Sequence, residues 1–570
     1  MRRPCLSLLA LAAALSLPAS AQTTDFVESA LVHPRAGGPF PISRAGNEVL
    51  LVDDELYVAS GATTTPGAGN RDGTLLRFSE TANAWSSDRA FTIPSPGTGG
   101  EQEFADAFDI ESDVMVVTAP GRRIGPPATN APNGAAFTYR RASGDWLADA
   151  EFLQSPVPSN SDQFGRSVAT NGAWIAIGAW GDSSIFPGAG AVHVYQDTPT
   201  GWEYRATLTS PTPQTNGFFG VDVAMSGDVL VVGESGAGNG EVQVFRLAGG
   251  TWTHAQELVS DFPGSNEQFG SSVDVDGDGP GATLAIGALA SPSAFQGAVI
   301  LYEQFGSSFI FGERFGAPFP VQTDRLGSSI AVDGDLVVAG APFNSPIGAS
   351  GGAAHVFQRV GPLDWELIDV LFPAEARPGA AVGSAVSIQG ETIAVGATGA
   401  NFGSGAFGGC WTFEPIPDGA RLFGFGDGAG APCPCGNDSR PELEEGCRNV
   451  SNRGGQLIPN ESASVATDDL EIDARNLNGA NIAILFEGTG VLAPAGTIGN
   501  GLLFTGGTLR RRGVATSDAF GIATWGPGLI STNGWNVGQT LTLQAWYRDV
   551  NAACVATFNA TSAVELTIGM

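Results

Sequence analysis

The residues best placed to do chemistry in this chain are carboxylates on a short turn. Asp274, Asp276 and Asp278 alternate along Asp274-Val275-Asp276-Gly277-Asp278-Gly279-Pro280-Gly281-Ala282. Alternation sets three hard oxygen donors on one side of a turn that Gly279 allows to bend sharply, a donor set suited to one calcium ion. The ninth position is Ala282, and no carboxylate follows before the next strand. Carbonyls, water or Thr283 would have to complete the shell, and a plain polar hairpin is the competing reading.

Four cysteines, Cys433, Cys435, Cys447 and Cys554, form a second group. In an exported chain an even local set reads as two disulfides, with three pairings open. Cys433 and Cys435 are expected to bond elsewhere than to each other, one to Cys447 and one to Cys554. A four-thiolate zinc site competes, weakened by spacing that is not the usual C-x-x-C. Gly348-Ala349-Ser350-Gly351-Gly352 has the letters of a nucleophile elbow. That chemistry needs its serine between a strand and a helix with a base in reach, whereas a Gly-rich loop before a strand is expected here. We find no His-Glu-x-x-His and no dinucleotide fingerprint.

The elements that must carry these residues repeat. Seven times between residues 45 and 415 the chain writes a hydrophobic strand, a tight polar turn, a second strand ending in Gly-Ala, a Gly-rich loop, and a third strand of the form Gly-x-x-x-x-aromatic. Phe164-Gly165-Arg166-Ser167-Val168-Ala169, the turn Asn171-Gly172, then Trp174 to Ala179 show the grammar. Two strands joined by Asn-Gly are a strong hairpin signal, because both turn residues need positive φ. From Gly165 the opening glycines fall at Gly220, Gly270, Gly327 and Gly383, spacings of 55, 50, 57 and 56. That period fits one four-stranded propeller blade, and such a unit must stack on neighbours to bury both faces.

A fourth strand opens with Trp85, Trp146, Trp202, Trp252, Phe309 or Trp365, and the seventh copy lacks one. Asp25 to Pro34 resembles Asp145 to Phe152 and the Ser-Pro that follows, so the N-terminal strand is expected to complete the seventh blade and remove its open edge. The aromatic series reads as blade-to-blade packing rather than a sugar platform. His193 and His355 share one repeat position with Phe137, Ile300 and Trp411, which marks a strand position for large side chains rather than a metal pair. Cys410 aligns with Val192, Val242 and Val299 and reads as a buried thiol.

Phe269-Gly270-Ser271-Ser272-Val273 with Leu284 to Ala288, and Leu326-Gly327-Ser328 with Gly340-Ala341-Pro342, resemble FG-GAP repeats. The resemblance covers about two-thirds of the chain. It implies the seven-bladed propeller at the head of integrin α chains and in bacterial secreted proteins, and a binding or adhesion scaffold rather than an enzyme. In that family the first hairpin often carries a calcium loop D-x-D-x-D-G-x-x-D. Here only the fifth copy keeps most of it.

Residues 1–21 carry Arg2 and Arg3, an apolar run from Leu6 to Leu17, and Ala19-Ser20-Ala21, the form of a secretory signal cleaved after Ala21. No later stretch is apolar for long enough to cross a bilayer, so a secreted, periplasmic or cell-surface protein without membrane insertion is expected. The 570 residues carry a formal charge of −31 and no lysine. Phosphate neutralisation needs clustered Lys or Arg, so nucleic acid is disfavoured as a partner, and lysine-dependent Schiff-base or P-loop chemistry is excluded.

The expected architecture is all-β. A signal (1–21) is followed by a seven-bladed propeller closed by an N-terminal strand (22–415), a linker (416–422), and a small β-sandwich holding the cysteines (423–570). The expected role is binding of a protein or glycan, with one calcium ion at the fifth turn. The alternative is an extracellular hydrolase or lyase with its site at the propeller's central channel.

Overall fold

In a computed structural model, residues 26–570 are described apart from 33–42, 54, 61–72, 81–84, 92–102, 123–132, 150–151, 158–161, 263–265, 291–295, 317–323, 345–349, 372, 374–377, 402–406, 417–419, 429–430, 440–444, 451–452, 461, 478, 480, 519–520 and 550–556. The signal-like segment, His33 and Cys554 lie outside the described residues.

The repeats fold as antiparallel sets of four strands joined in sequence order. Five are separate sheets: the second set spans 108–148, the third 167–208, the fourth 219–259, the fifth 269–316 and the sixth 330–371. The first set, within 43–91, and the seventh, within 382–415, share one larger sheet through a parallel pairing of Ser43 with Phe407 and Ala45 with Gly408. The seventh set has only three strands from its own stretch of chain. Its fourth partner is Phe26–Val32, antiparallel to Phe407–Pro415 with Phe26 opposite Pro415 and Val32 opposite Cys410.

Within a set the second strand is covered on both faces. Val114–Ala119, Trp174–Ala179, Val229–Glu234 and Thr283–Ala288 are buried at every residue, as expected of strands covered on two sides. The outer strands alternate instead; in Thr251–Val259 only Trp252 and Leu258 are buried. Each apolar cluster draws from two consecutive sets, such as Trp174, Val192 and Val194 of the third with Phe219, Val232 and Trp252 of the fourth. The fourth-strand aromatics serve this packing. The Trp146 indole donates to the Tyr57 hydroxyl of the first set at 2.7 Å, and Trp252 meets Trp174 edge-on.

The glycines of the repeat explain its spelling. In the third to seventh sets the Gly near the end of the second strand lies against the opening Gly of the following set, and a Cβ on Gly178, Gly233, Gly287, Gly340 or Gly396 would run into the carbonyl oxygen of Gly220, Gly270, Gly327, Gly383 or Gly46 respectively. The last of these contacts joins the seventh set to the first. The opening glycines also sit at positive φ, Gly270 at 81° and Gly327 at 83°, where a side chain is strained.

Beyond the repeats, a five-stranded antiparallel sheet (Ala420–Phe423, Phe558–Thr567, Thr540–Arg548, Ile482–Gly488 and Arg510–Thr516, in spatial order) shares one core with a three-stranded sheet of Gln456–Asn460, Glu471–Arg475 and Ala523–Trp525. The first of these strands begins inside the stretch read as a linker. Leu422 accounts for the shift, since it is buried in the core of this unit while the chain pairs with Phe558–Thr567.

Candidate functional site

Two regions concentrate functional groups among the described residues: the carboxylates on the first strands of the repeats, and the loop that follows Gly178-Ala179 in the third set. First strands touch in chain order from the first set to the seventh, and the first strand of the seventh set also touches that of the first. Their acidic side chains reach from one set to the next. Asp109 accepts from the Thr170 N–H at 2.6 Å, Asp222 from Val273 at 2.8 Å and Asp274 from Val332 at 2.7 Å. Each also accepts from the N–H of its own successor. Ser387 plays the same part between the seventh set and the first, accepting from the Leu51 N–H at 2.9 Å. Asp109, Asp274 and Ser387 all lie five residues after the aligned opening residues Phe104, Phe269 and Val382. That shared offset is the signal by which the alignment could have flagged them; sequence reasoning took up Asp274 alone.

The fifth turn therefore divides its carboxylates. Asp274 is committed to Val332 and Asp276 accepts from the Gly334 N–H at 2.8 Å, both in the sixth set. Asp278 leans the other way, its carboxylate beside Gly227 of the fourth set. The three do not converge on one point, and among the described residues no cluster of three His, Cys, Asp or Glu side chains is placed to hold a metal ion. As arranged, the donors do not fit a calcium ion unless both latches to the sixth set are released. We expect equal melting midpoints in calcium and in chelator. A chelator-induced drop would show that the turn re-forms around an ion.

Burial raises the pKa of Asp109, Asp222 and Asp274 to about 7, overcoming the backbone N–H groups that favour the charged form. Glu48 on the first set is raised well above its ordinary value, by burial first and then by the Asp222, Asp106 and Asp109 carboxylates, with Arg166 opposing them. An acid whose pKa is raised by folding lends stability that is full below its unfolded value of about 4 and lost as pH climbs through the folded value. Burial lowers His193 and His355 to about 4. Their contribution runs the other way, present above about 6.5 and lost toward acid. Between pH 6.5 and 8 only the raised acids are changing, so the melting midpoint should fall across that window. A triple Asp109→Asn, Asp222→Asn, Asp274→Asn protein should show a flatter profile, and an identical slope would refute the coupling.

Both histidines are interior side chains. His193 lies against the Phe164 ring with its Nδ1 2.9 Å from the Thr207 hydroxyl, and His355 is likewise buried. Ser350 sits in a turn before the strand Ala353–Gly361, with no helix following. Cys433 is disulfide-bonded to Cys447, and Cys435 is also in a disulfide. Cys410 is a buried free thiol whose pKa burial pushes up.

The second region carries exposed apolar surface. In the third set the loop after Gly178-Ala179 presents Ile185 and Phe186, each 46% exposed. Trp180, at its base, meets Phe218 edge-on at 4.9 Å, and the indole N–H has no partner. Phe218 holds φ 57°, as do its counterparts Gln163, Gln268, Arg325 and Ala381 at 55–60°. This costly backbone state for a non-glycine residue recurs just before each buried opening residue. In the sixth set Arg325 lies over the Phe343 ring at 5.1 Å.

An all-β chain of repeated four-stranded antiparallel sheets, spelled by paired glycines, defines the class. Segments 153–195, 202–245 and 320–357 match the family model for the FG-GAP repeat, so the chain carries FG-GAP repeats at three places. No curated protein matches it. Among solved structures it is similar to a putative 6-phosphogluconolactonase from Bacteroides fragilis NCTC 9343, at 14% identity and a TM-score of 0.40 over 60% of this chain and 88% of that one. Among the described residues no helix is long and apolar enough to cross a membrane.

Proposed function

We propose that the seven sets are the blades of a closed β-propeller and that the protein is an exported binding or adhesion scaffold, presenting the loops of one face to a protein or glycan. The observation that carries this reading is the division of labour among side chains. The polar groups of the first strands are spent joining one set to the next, while the loop after the third set's Gly-Ala, based on the Trp180–Phe218 ring pair, leaves Ile185 and Phe186 open. Exposed aromatic surface backed by a rigid scaffold is the usual form of a recognition patch. Export is supported by the signal-like first residues and by the disulfide. The test is an array of glycans and matrix proteins probed with wild type and Phe186→Ser. A ligand retained by the first and weakened at least about tenfold in the second supports the patch. Equal binding by both would move the site elsewhere.

The alternative is a hydrolase or lyase: the buried Asp109, Asp222 and Asp274, whose pKa burial raises to about 7, have the form a general acid takes. The same array should then show turnover, abolished by Asp222→Asn.

A further inference from the structure

Among the described residues, every arginine whose side chain is placed has an acidic, hydrogen-bonding or ring partner except Arg510, Arg511 and Arg548. All three are exposed. In a chain of charge −31, unpaired guanidinium groups are conspicuous wherever they gather. These gather on the five-stranded sheet of the C-terminal unit.

That sheet is apolar on both faces. Ala483, Leu485, Ala545 and Tyr547 point into its core, so the alternate residues point out. Opposite residues of paired strands share a face, and the register sets Ile484 opposite both Trp546 and Val514, Phe486 opposite Arg511, and Phe558 opposite Arg548. Phe486 and Trp546 stack with ring centroids 4.2 Å apart, and Phe558 follows at 6.1 Å. Part of this outer face is covered by the hairpin of Gly490–Ile498 and Gly501–Gly506, which the Gln544 side chain ties down through Leu502 and Phe504. The remainder is open, with Ile482 57%, Val514 46% and Phe558 38% exposed.

We propose that this open face binds an acidic polysaccharide of the uronate class. A sugar ring offers a flat C–H face to an aromatic ring, and its carboxylate offers the planar acceptor that a guanidinium grips with two parallel hydrogen bonds. Arg511 and Arg548 stand two strands and four residues apart on the lattice, roughly 17 Å by standard sheet spacings. A polymer crossing the aromatic row between them would meet one cation at each end. The aromatic row of Phe486, Trp546 and Phe558 lies on inner strands of the sheet, and only Arg511 and Val514 come from its edge strand Arg510–Thr516; a flat aromatic platform without the groove a helix needs favours the polysaccharide over an acidic protein segment. The inference stands apart from the propeller, since no residue of the repeats enters it.

The test is affinity electrophoresis of the full chain through gels containing polygalacturonate or neutral dextran. Retardation is expected in the first only, weakening with salt as screening requires. Arg511→Gln with Arg548→Gln should weaken it by at least tenfold, about the loss of one or more charged hydrogen bonds. Trp546→Ala should weaken it comparably, and the conservative Arg511→Lys should restore part of what Arg511→Gln loses. Unchanged circular dichroism in the exposed arginine variants separates loss of binding from loss of fold. The proposal is overturned by absence of retardation in wild type, by equal retardation of the variants, or by variants that change only self-association in sedimentation, which would give the face to a second copy of the chain.

Discussion

Gly287→Ala is expected to destabilise the protein by about 3 kcal/mol or more, at the top of the range for a point substitution. The added methyl has no space to move into. It would meet the carbonyl oxygen of Gly327 and the hydroxyl of Ser272, and that hydroxyl already donates to the same carbonyl at 2.6 Å. Both obstacles belong to a packed seam between the fifth and sixth sets, so relief would require the sets to part. Gly316→Ala is the control, because a Cβ there meets nothing within 4 Å and should change stability by no more than about 0.5 kcal/mol. Urea unfolding followed by tryptophan fluorescence distinguishes them. Equal midpoints for the two variants would mean that the glycine contacts do not set the spacing of the repeats.

Removing residues 24–33 should have the second large effect. The strand Phe26–Val32 is the antiparallel partner of Phe407–Pro415, whose buried Cys410, Trp411 and Phe413 belong to the packing of the seventh set. Without it the outer edge of that strand has open N–H and C=O groups, a template for pairing between molecules. Loss of a cooperative unfolding transition, with concentration-dependent aggregation, is the expected result by calorimetry and light scattering. A truncated protein that melts like the full chain would show that the strand is dispensable, and the proposed ring closure would go with it.

The repeat was legible because two physical requirements are written in single letters. A buried aromatic followed by a glycine, and a Gly-Ala that must touch the glycine of the next set, leave few residues able to substitute, so both survive in recognisable form. The latches between first strands were harder to read. They need only one acceptor within reach of a backbone N–H, which aspartate supplies in the second, fourth and fifth sets and serine in the seventh. Asp274, Asp276 and Asp278 looked like one site because periodicity along a strand places alternate residues together; it does not say where each side chain finds its hydrogen bonds. The strand Ala420–Phe423 was hidden for another reason, since its four residues owe their order to pairing with Phe558–Thr567 far along the chain. The open face of the C-terminal sheet was equally invisible. Ile482, Ile484 and Phe486 read as ordinary alternating strand residues until the register brings Val514, Trp546 and Arg511 beside them.

The pairing of Phe26–Val32 with Phe407–Pro415 fixes an order of events in biosynthesis. Phe26–Val32 is made well before its partner Phe407–Pro415, so the intervening sets can form hairpins and stack while this strand waits, and the proposed ring cannot close until residue 415 is available. Long-range pairings of this kind are slow to form and leave sticky intermediates behind them. Under the proposed export and ring closure, such a chain would cross a membrane as an open thread and close on the far side, and its yield would depend on how well that open thread is kept from its neighbours.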